Sequence, residues 1–229
     1  MSTFVLIHGS YQGGWIWNPV AVRLRAAGHQ IYTPTLDGCA ERKGQIRAGI
    51  TTETQAEEVA QMLFYRDLHD VVLAGTSSGG MVVCRVAELM RERLSRLVFV
   101  DALALLSGEK IRDIVTRSTA VAGGLTAGPS REDAANRLFA DLNPDTKAWA
   151  LDRYTQHPIG IYEQPVKLDS FWSQPWKADV IWCKRAQNPG EAHQRRTADK
   201  LGASWHELDT GHYPMLSMPE ELAALLTRG

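Results

Sequence analysis

Residues 71–90 read VVLAGTSSGGMVVCRVAELM, and two different periodicities meet inside them. Val71 to Ala74 is a short apolar run of the kind that forms a strand buried on both faces, whereas Met81 to Met90 is mostly apolar over a helical length. The join is Gly75, Thr76, Ser77, Ser78, Gly79, a G-x-S-x-G turn. Small residues two before and two after the central serine let the backbone reverse sharply, so the Ser77 hydroxyl is lifted clear of the sheet. The following helix aims its N-terminal dipole and free N–H groups at the same point, a setting that favours a developing oxyanion. Ser78 is the rival hydroxyl, but it lies one residue past the turn, where its backbone N–H is more useful than its side chain.

Working outward, further short apolar runs at Phe4 to Ile7, Ile31 to Pro34, Leu97 to Val100, Val180 to Cys183 and Trp205 to Leu208 alternate with helical patterns. That alternation predicts an α/β fold: a mostly parallel six-stranded sheet with helices on both faces. Asn18 before Pro19 predicts an N-cap and first-turn proline, with Gly28 as the stop. Thr52 with Gln55, or Thr54 with Glu57, predicts a capping box opening a helix through about Tyr65. Asn188 with Pro189, and Ser217 with Pro219 and Glu220, predict two more helix starts. The stretch 102–176 breaks the pattern. It has helical fragments after Ser130 and Pro144, a Gly-rich piece from Gly123 to Gly128, and no clear strand, so it reads as a small helical insertion over the sheet of one domain spanning 1–229.

Composition closes off several classes of protein. A chain of 229 residues with 44% hydrophobic residues buries roughly 70% of its unfolded surface on folding. The count of 25 basic against 26 acidic side chains, net −1, supplies no field to attract nucleic acid or an anionic membrane. Cys39, Cys84 and Cys183 are an odd number without CxxC spacing, which suggests neither a disulfide framework nor a zinc site. The first residues show no basic flank, long apolar stretch and cleavage site, and no apolar run approaches the roughly 20 residues that span a bilayer. A cytoplasmic protein without metal or organic cofactor is the expectation.

A second group of residues complements the serine turn. His8, Gly9 and Ser10 end the first strand, and Gly13 and Gly14 keep the following loop close to the backbone. Such a loop offers the Ser10 N–H as an oxyanion donor beside the Ser78 N–H. A serine hydroxyl also needs a base. Of seven histidines only His212 follows the last strand, where this chain order puts the base. His29 and His69 fall at surface helix ends, His193 in a helix, His206 within the last strand and His157 before a proline in the insertion. Solvated or packing roles suit all five better.

Phe4 to Trp17 (FVLIHGSYQGGWIW), the serine turn and residues 211–222 (GHYPMLSMPEEL) together resemble the compact α/β-hydrolases grouped with plant hydroxynitrile lyases and salicylate methylesterases, and their small bacterial esterase relatives. The resemblance covers about two thirds of the chain and is weak in the insertion. It implies the α/β-hydrolase fold, Ser77 as nucleophile, His212 as base, and the Ser10 and Ser78 amides as oxyanion hole. The lyases of this group resemble one another in a threonine where this chain has Gly9, and a lysine where it has Tyr213, so the hydrolase branch is the better match. One departure matters. In the plant enzymes the triad acid lies just past the strand matching Val180 to Cys183, and that position is here Ala186. Asp101, following Leu97 to Val100, is the candidate acid, with an N-cap role as its alternative. Glu191 is the rival, though a first-turn carboxylate is equally a helix-dipole partner, and Asp37 suits turn chemistry.

The expected activity is hydrolysis of a small-molecule carboxylic ester, or a related lactone or carbamate, through an acyl-enzyme. The alternative is a non-hydrolytic member, a hydroxynitrile-lyase-like C–C lyase or a small-ligand receptor that keeps the turn for architecture. Gly9, Tyr11, Trp15 and Tyr213 are the expected substrate contacts. Phe139, Trp149, Tyr154, Tyr162, Phe171, Trp172 and Trp176 in the insertion favour an apolar cavity suited to an aromatic substrate, although a lid packed on a sheet needs large side chains in any case.

Overall fold

A computed structural model describes residues 1–115 and 124–228. In chain order its strands are β1 (Thr3–Ile7), β2 (Gln30–Tyr32), β3 (Val71–Ser77), β4 (Leu94–Ala102), β5 (Thr126–Ala127), β6 (His157–Pro158), β7 (Ala178–Cys183) and β8 (Ser204–Leu208). Six of them form one sheet in the order β2-β1-β3-β4-β7-β8, and every pairing in it is parallel. Parallel neighbours need crossovers, and helices supply them on both faces. Alternate residues divide the sheet. Val5, Ile7, Leu73, Leu97, Phe99 and Val180 face α2 (Thr52–Tyr65) and α3 (Gly79–Leu89). Phe4, Leu6, Val72, Val98, Val100 and Ile181 face α1 (Asn18–Ala26) and the C-terminal helix Pro219–Thr227. Burial on both sides explains why the strands read as unbroken apolar runs.

The connection from β1 leads outward to β2, and the chain then returns past β1 to β3. The strand order therefore reverses between β1 and β3, the place where open α/β sheets bind ligands beyond the carboxyl ends of their strands. His8 to Ser10 and Ser77 to Gly79 stand on its two sides.

The six sheet strands match the sequence reading in place and number; several helix starts do not. Asn18 is the first helical residue and makes no capping bond, because the 3₁₀ turn Gly14–Trp17 runs straight into α1 and leaves Trp17 at the cap. The capping box of α2 is Thr51 with Thr54, one residue before the first expected pair and three before the second: Thr54 N–H donates to Thr51 Oγ1 (3.4 Å) and Thr51 N–H to Thr54 Oγ1 (3.0 Å). A threonine hydroxyl here does the work of the glutamate or glutamine sought at that position. The helix after Pro189 begins at Glu191, with Gly190 as its cap. Ser217 spends its hydroxyl on Thr210 and the Tyr213 carbonyl, so the last helix starts after Met218 without a side-chain cap.

Between β4 and β7, Ser130 caps the turn Arg131–Asp133 and Asn143 caps the helix Pro144–Arg153. The segment also holds a strand pair that the sequence hid, since β5 and β6 are two residues each and pair antiparallel. Of the Gly-rich piece, Gly123 lies outside the described residues. Among the described residues no helix is long and apolar enough to cross a membrane.

Three histidines are held neutral inside this framework. Burial lowers His8 to about 4 against the pull of the Gly9 carbonyl and Glu41, lowers His157 to about 3 with His8 adding to the shift, and lowers His193 to about 4 with Arg196 beside it and Glu109 opposing. Their ring nitrogens are used as hydrogen-bond partners: Leu36 N–H donates to His8 Nε2 (3.0 Å), Ala104 N–H donates to His193 Nε2 (3.1 Å), and His157 Nδ1 meets Cys39 Sγ at 3.4 Å. An unfolded histidine titrates near 6.5, so between pH 6.5 and 4 the unfolded chain binds more protons than the folded one, and stability falls on acidification. Each group steepens the slope by about 1.4 kcal/mol per pH unit in that window. Urea unfolding between pH 7 and 4.5 should show this loss, and His157→Gln should flatten the slope whatever it does to stability at pH 7. An unchanged slope would contradict the assignment.

Candidate active site

Ser77 ends β3 with φ 51°, in the left-handed region that L side chains rarely occupy. The glycines around it are required by contact. A Cβ on Gly75 would stand 2.7 Å from Val83 Cγ2 and 2.8 Å from the Gly79 carbonyl oxygen, and one on Gly79 would stand 2.5 Å from the His8 carbonyl oxygen. The turn is thus wedged between the β1 end and α3, and Leu103 N–H holds the Ser77 carbonyl at 2.8 Å. Ser77 itself is half-buried between buried neighbours.

On the next strand the backbone departs from regular pairing where no sequence pattern marks it. Thr76 pairs with Val100 but Ser77 pairs with Ala102, so Asp101 is the extra residue of a β-bulge, and its φ is 44°. The skipped step shows in the side chains: Ala102 joins the face of Leu97 and Phe99, where strict alternation would put it with Val98 and Val100. Bulges re-aim side chains. The Asp101 carboxylate, completely buried, receives His212 Nδ1–H on Oδ2 (2.5 Å) and Cys183 N–H on Oδ1 (3.4 Å). Burial pushes this carboxyl up, and both donors pull against it, His212 the more strongly. A bond from Nδ1 leaves Nε2 as the free nitrogen of the ring.

His212 follows β8 in a loop held from two directions. Arg185 N–H bonds the Thr210 carbonyl at 3.0 Å, and Asp141 of the insertion accepts Gly211 N–H at 2.9 Å, so close that a Cβ on Gly211 would meet its carboxylate. The His212 side chain is 16% exposed, enough to be reached. Among the described residues its ring bonds only to Asp101, and no hydrogen bond joins it to Ser77 Oγ. Such contacts often tighten only once substrate is bound. Glu191, the rival acid, is a surface residue paired with Arg195 at 3.3 Å. Ala186 sits in the turn after β7, its amide bonded to the Cys183 carbonyl. Asp37 pairs with Arg47 at 2.6 Å and with Arg42.

The remaining candidates surround Ser77 unevenly. A Cβ on Gly9 would lie 2.5 Å from Ser77 Cβ, so this backbone approaches the serine as closely as a backbone can. Ser10 and Ser78 are buried, with their hydroxyls 2.9 Å apart. Tyr11, at φ 70°, packs against Tyr154, Tyr162 and His157. Trp15 sits edge-on to Trp149, and Tyr213 is buried between Phe139 and His212. Trp15 and Tyr213 therefore already serve as contacts between the sheet and the insertion.

Gln12 went unseen in the sequence, and Tyr162 was named only among the aromatics of the insertion. Gln12 is fully buried, and its Oε1 accepts Gly9 N–H at 3.4 Å. Burial pushes the Tyr213 phenol up, and the Gln12 amide pulls the other way, so this side chain stands between the β1 loop and the His212 loop. The Tyr162 phenol is buried. Burial raises it, with Tyr11 adding and the Ser10 hydroxyl opposing. A glutamine in a glycine-rich loop was the only visible hint of Gln12.

A parallel sheet whose third strand ends in a strained serine, beside a buried aspartate and a late histidine, defines a hydrolase-type site. Residues 4–225 match the alpha/beta hydrolase family, and the chain belongs to it. It is 28% identical to a carbendazim hydrolyzing esterase of Nocardioides sp. (strain SG-4G), over 99% of this chain and 98% of that one. It is 25% identical to methylesterase 3 of Arabidopsis thaliana, over 97% and 93% of the two chains. Among solved structures, an extracellular alpha/beta-hydrolase from a Paenibacillus species, described as homologous to tobacco salicylic acid binding protein 2, superimposes with a TM-score of 0.86 at 23% identity, covering 99% of this chain and 98% of that one.

The wedge at the turn makes a direct prediction. Gly79→Ala sets a methyl against the His8 carbonyl, a backbone atom that cannot swing aside, and overpacking of this kind costs about 1–3 kcal/mol. The melting temperature should drop by about 5 °C for a chain this long. Gly44→Ala, facing open space, should leave it unchanged. Equal melting curves for the two variants would refute the contact.

Proposed function

We propose that this carboxylic ester hydrolase works as a serine enzyme, with Ser77 as nucleophile, His212 as base and Asp101 as the acid that orients it. The observation that carries the reading is the bulge: it turns Asp101 onto His212 Nδ1 at 2.5 Å, one strand away from the strained Ser77. In acylation His212 Nε2 takes the Ser77 proton as Oγ attacks the ester carbonyl, and the Ser10 and Ser78 N–H groups receive the oxyanion. The proton then passes to the departing alkoxide. Water, deprotonated by His212, releases the acid and restores the serine. The buried Asp101 carboxylate holds the tautomer this sequence needs and stabilises the imidazolium. No step calls for a metal or an organic cofactor.

Residues 1–229 form one domain in this reading, and 102–176 form its cap. Tyr11, Tyr154 and Tyr162 then wall the site with aromatic surface beside the serine, which suits a small ester with an aromatic or planar group; a lactone or carbamate offers the same carbonyl. Similarity to a carbendazim hydrolyzing esterase and to a methylesterase supports a small substrate. Gly9 argues against lyase chemistry, since the threonine that the resembling lyases carry there would drive its Cβ into Ser77.

With p-nitrophenyl acetate, Ser77→Ala should lose at least about 1,000-fold in kcat. Asp101→Asn should lose roughly as much through the wrong histidine tautomer, and Glu191→Gln less than twofold. Retained turnover in Ser77→Ala, or equal effects of the two acid variants, would reject the assignment.

A further inference from the structure

Ser10 and Ser78 lie 68 residues apart in sequence, yet their hydroxyls meet at 2.9 Å in a buried contact. Both stand just beyond the paired part of the sheet: the β1–β3 register ends at Ile7 opposite Gly75, so nothing in the ladder sets the distance between the two loops. Ser78 is also the N-cap residue of α3, and a serine there ordinarily accepts a hydrogen bond from the first turn of its own helix. It makes no such bond. Its hydroxyl is turned across to Ser10 instead.

We propose that the Ser10–Ser78 hydroxyl pair is a clamp that fixes the separation of the two amides receiving the oxyanion. This rests on the acyl-enzyme reading above and deepens it. Both side chains act as positioning residues, because neither hydroxyl is assigned to the substrate. Donors stabilise a developing oxyanion only when they are already aimed at one point roughly 2.7–3.1 Å away. The Gly9–Ser77 and Gly79–His8 backbone contacts bring the two loops together, and a hydrogen bond between the side chains of the two amide-bearing residues fixes how their amides are set relative to one another. It is present before substrate arrives, so no reorganisation falls on the reaction step.

The test is a double-mutant cycle on the full chain with p-nitrophenyl acetate: Ser10→Ala, Ser78→Ala and the two combined. Each single variant should lower kcat about 10-fold, less than the roughly 100-fold that follows loss of an oxyanion donor itself, with KM within twofold. The double variant should fall no further than either single one, because both remove the same bond. Affinity for phenylboronic acid, whose tetrahedral adduct places an oxygen in the same site, should weaken by the same factor. Ser78→Cys, which keeps the volume and a weaker donor, should fall between wild type and Ser78→Ala, and it supplies the comparison if an alanine variant does not fold. Wild-type kcat in either alanine variant, a loss confined to KM, or losses that multiply in the double variant would overturn the clamp. Full activity in Ser77→Ala would overturn the acyl-enzyme reading and the clamp with it, whereas an inactive Ser77→Ala beside wild-type Ser10→Ala and Ser78→Ala overturns the clamp alone.

Discussion

Two L-residues held at left-handed backbone angles, Ser77 at φ 51° and Asp101 at φ 44°, stand on neighbouring strands at the same edge of the sheet. Conformations of this kind cost about 1–3 kcal/mol each and persist only where the surroundings over-determine them. Here the surroundings are visible. The turn at Ser77 is squeezed between the β1 carbonyls and the first turns of α3, and Gly75, Gly79 and Gly80 leave no room for it to relax. The bulge at Asp101 is locked by ordinary ladder pairing on the β4 residues before it and at Ala102 after it. The parallel sheet, buried on both faces, is stiff enough to hold both strains at once, and this is the service that the fold performs for the site.

The same edge concentrates polar groups where water is scarce, and each of them needs a partner. His8 shows how this is met: neutral because it is buried, it donates Nδ1–H to its neighbouring carbonyl at Gly9 and accepts the Leu36 amide on Nε2. One ring thereby ties the end of β1 to the loop after β2. Gln12 accepts the Gly9 amide within the loop after β1, and His193 reaches from its helix to the Ala104 amide just past β4. These groups have no part in the proposed proton transfers. They fix the loops from which the reacting groups project, and their wholesale burial makes that scaffold sensitive to acid.

How much of this could be read beforehand follows from the range of each interaction. The six sheet strands and the Ser77 turn were legible because local patterns determine them: apolar runs, and glycines at fixed offsets from a serine. The place of His212, just after the last strand, was legible through chain order. Asp101 was named as a candidate acid, but the sequence left its N-cap alternative and Glu191 standing, since a bulge depends on how two strands register and leaves no mark in either strand alone. Helix starts were misplaced for a related reason. At Thr51 and Thr54, and at Trp17 and Asn18, several residues could each cap, and neighbouring turns selected among them. Asp141 was invisible because its partner Gly211 is distant along the chain.

The insertion is where sequence resemblance was weakest, and its contacts explain why it can vary while the rest stays put. It touches the loop after β1 and the His212 loop through separate pairings: Tyr154 and Tyr162 against Tyr11, Trp149 against Trp15, Phe139 against Tyr213, and the Asp141 carboxylate on Gly211 N–H. Apart from the last, these are contacts of area and shape, which tolerate exchange of one large side chain for another as long as volume is kept. The strained serine, the bulged aspartate and the histidine loop tolerate no such exchange, because each depends on a backbone angle or a single hydrogen bond. In the proposed reading, an insertion that covers the site can therefore change its lining without disturbing the groups beneath it.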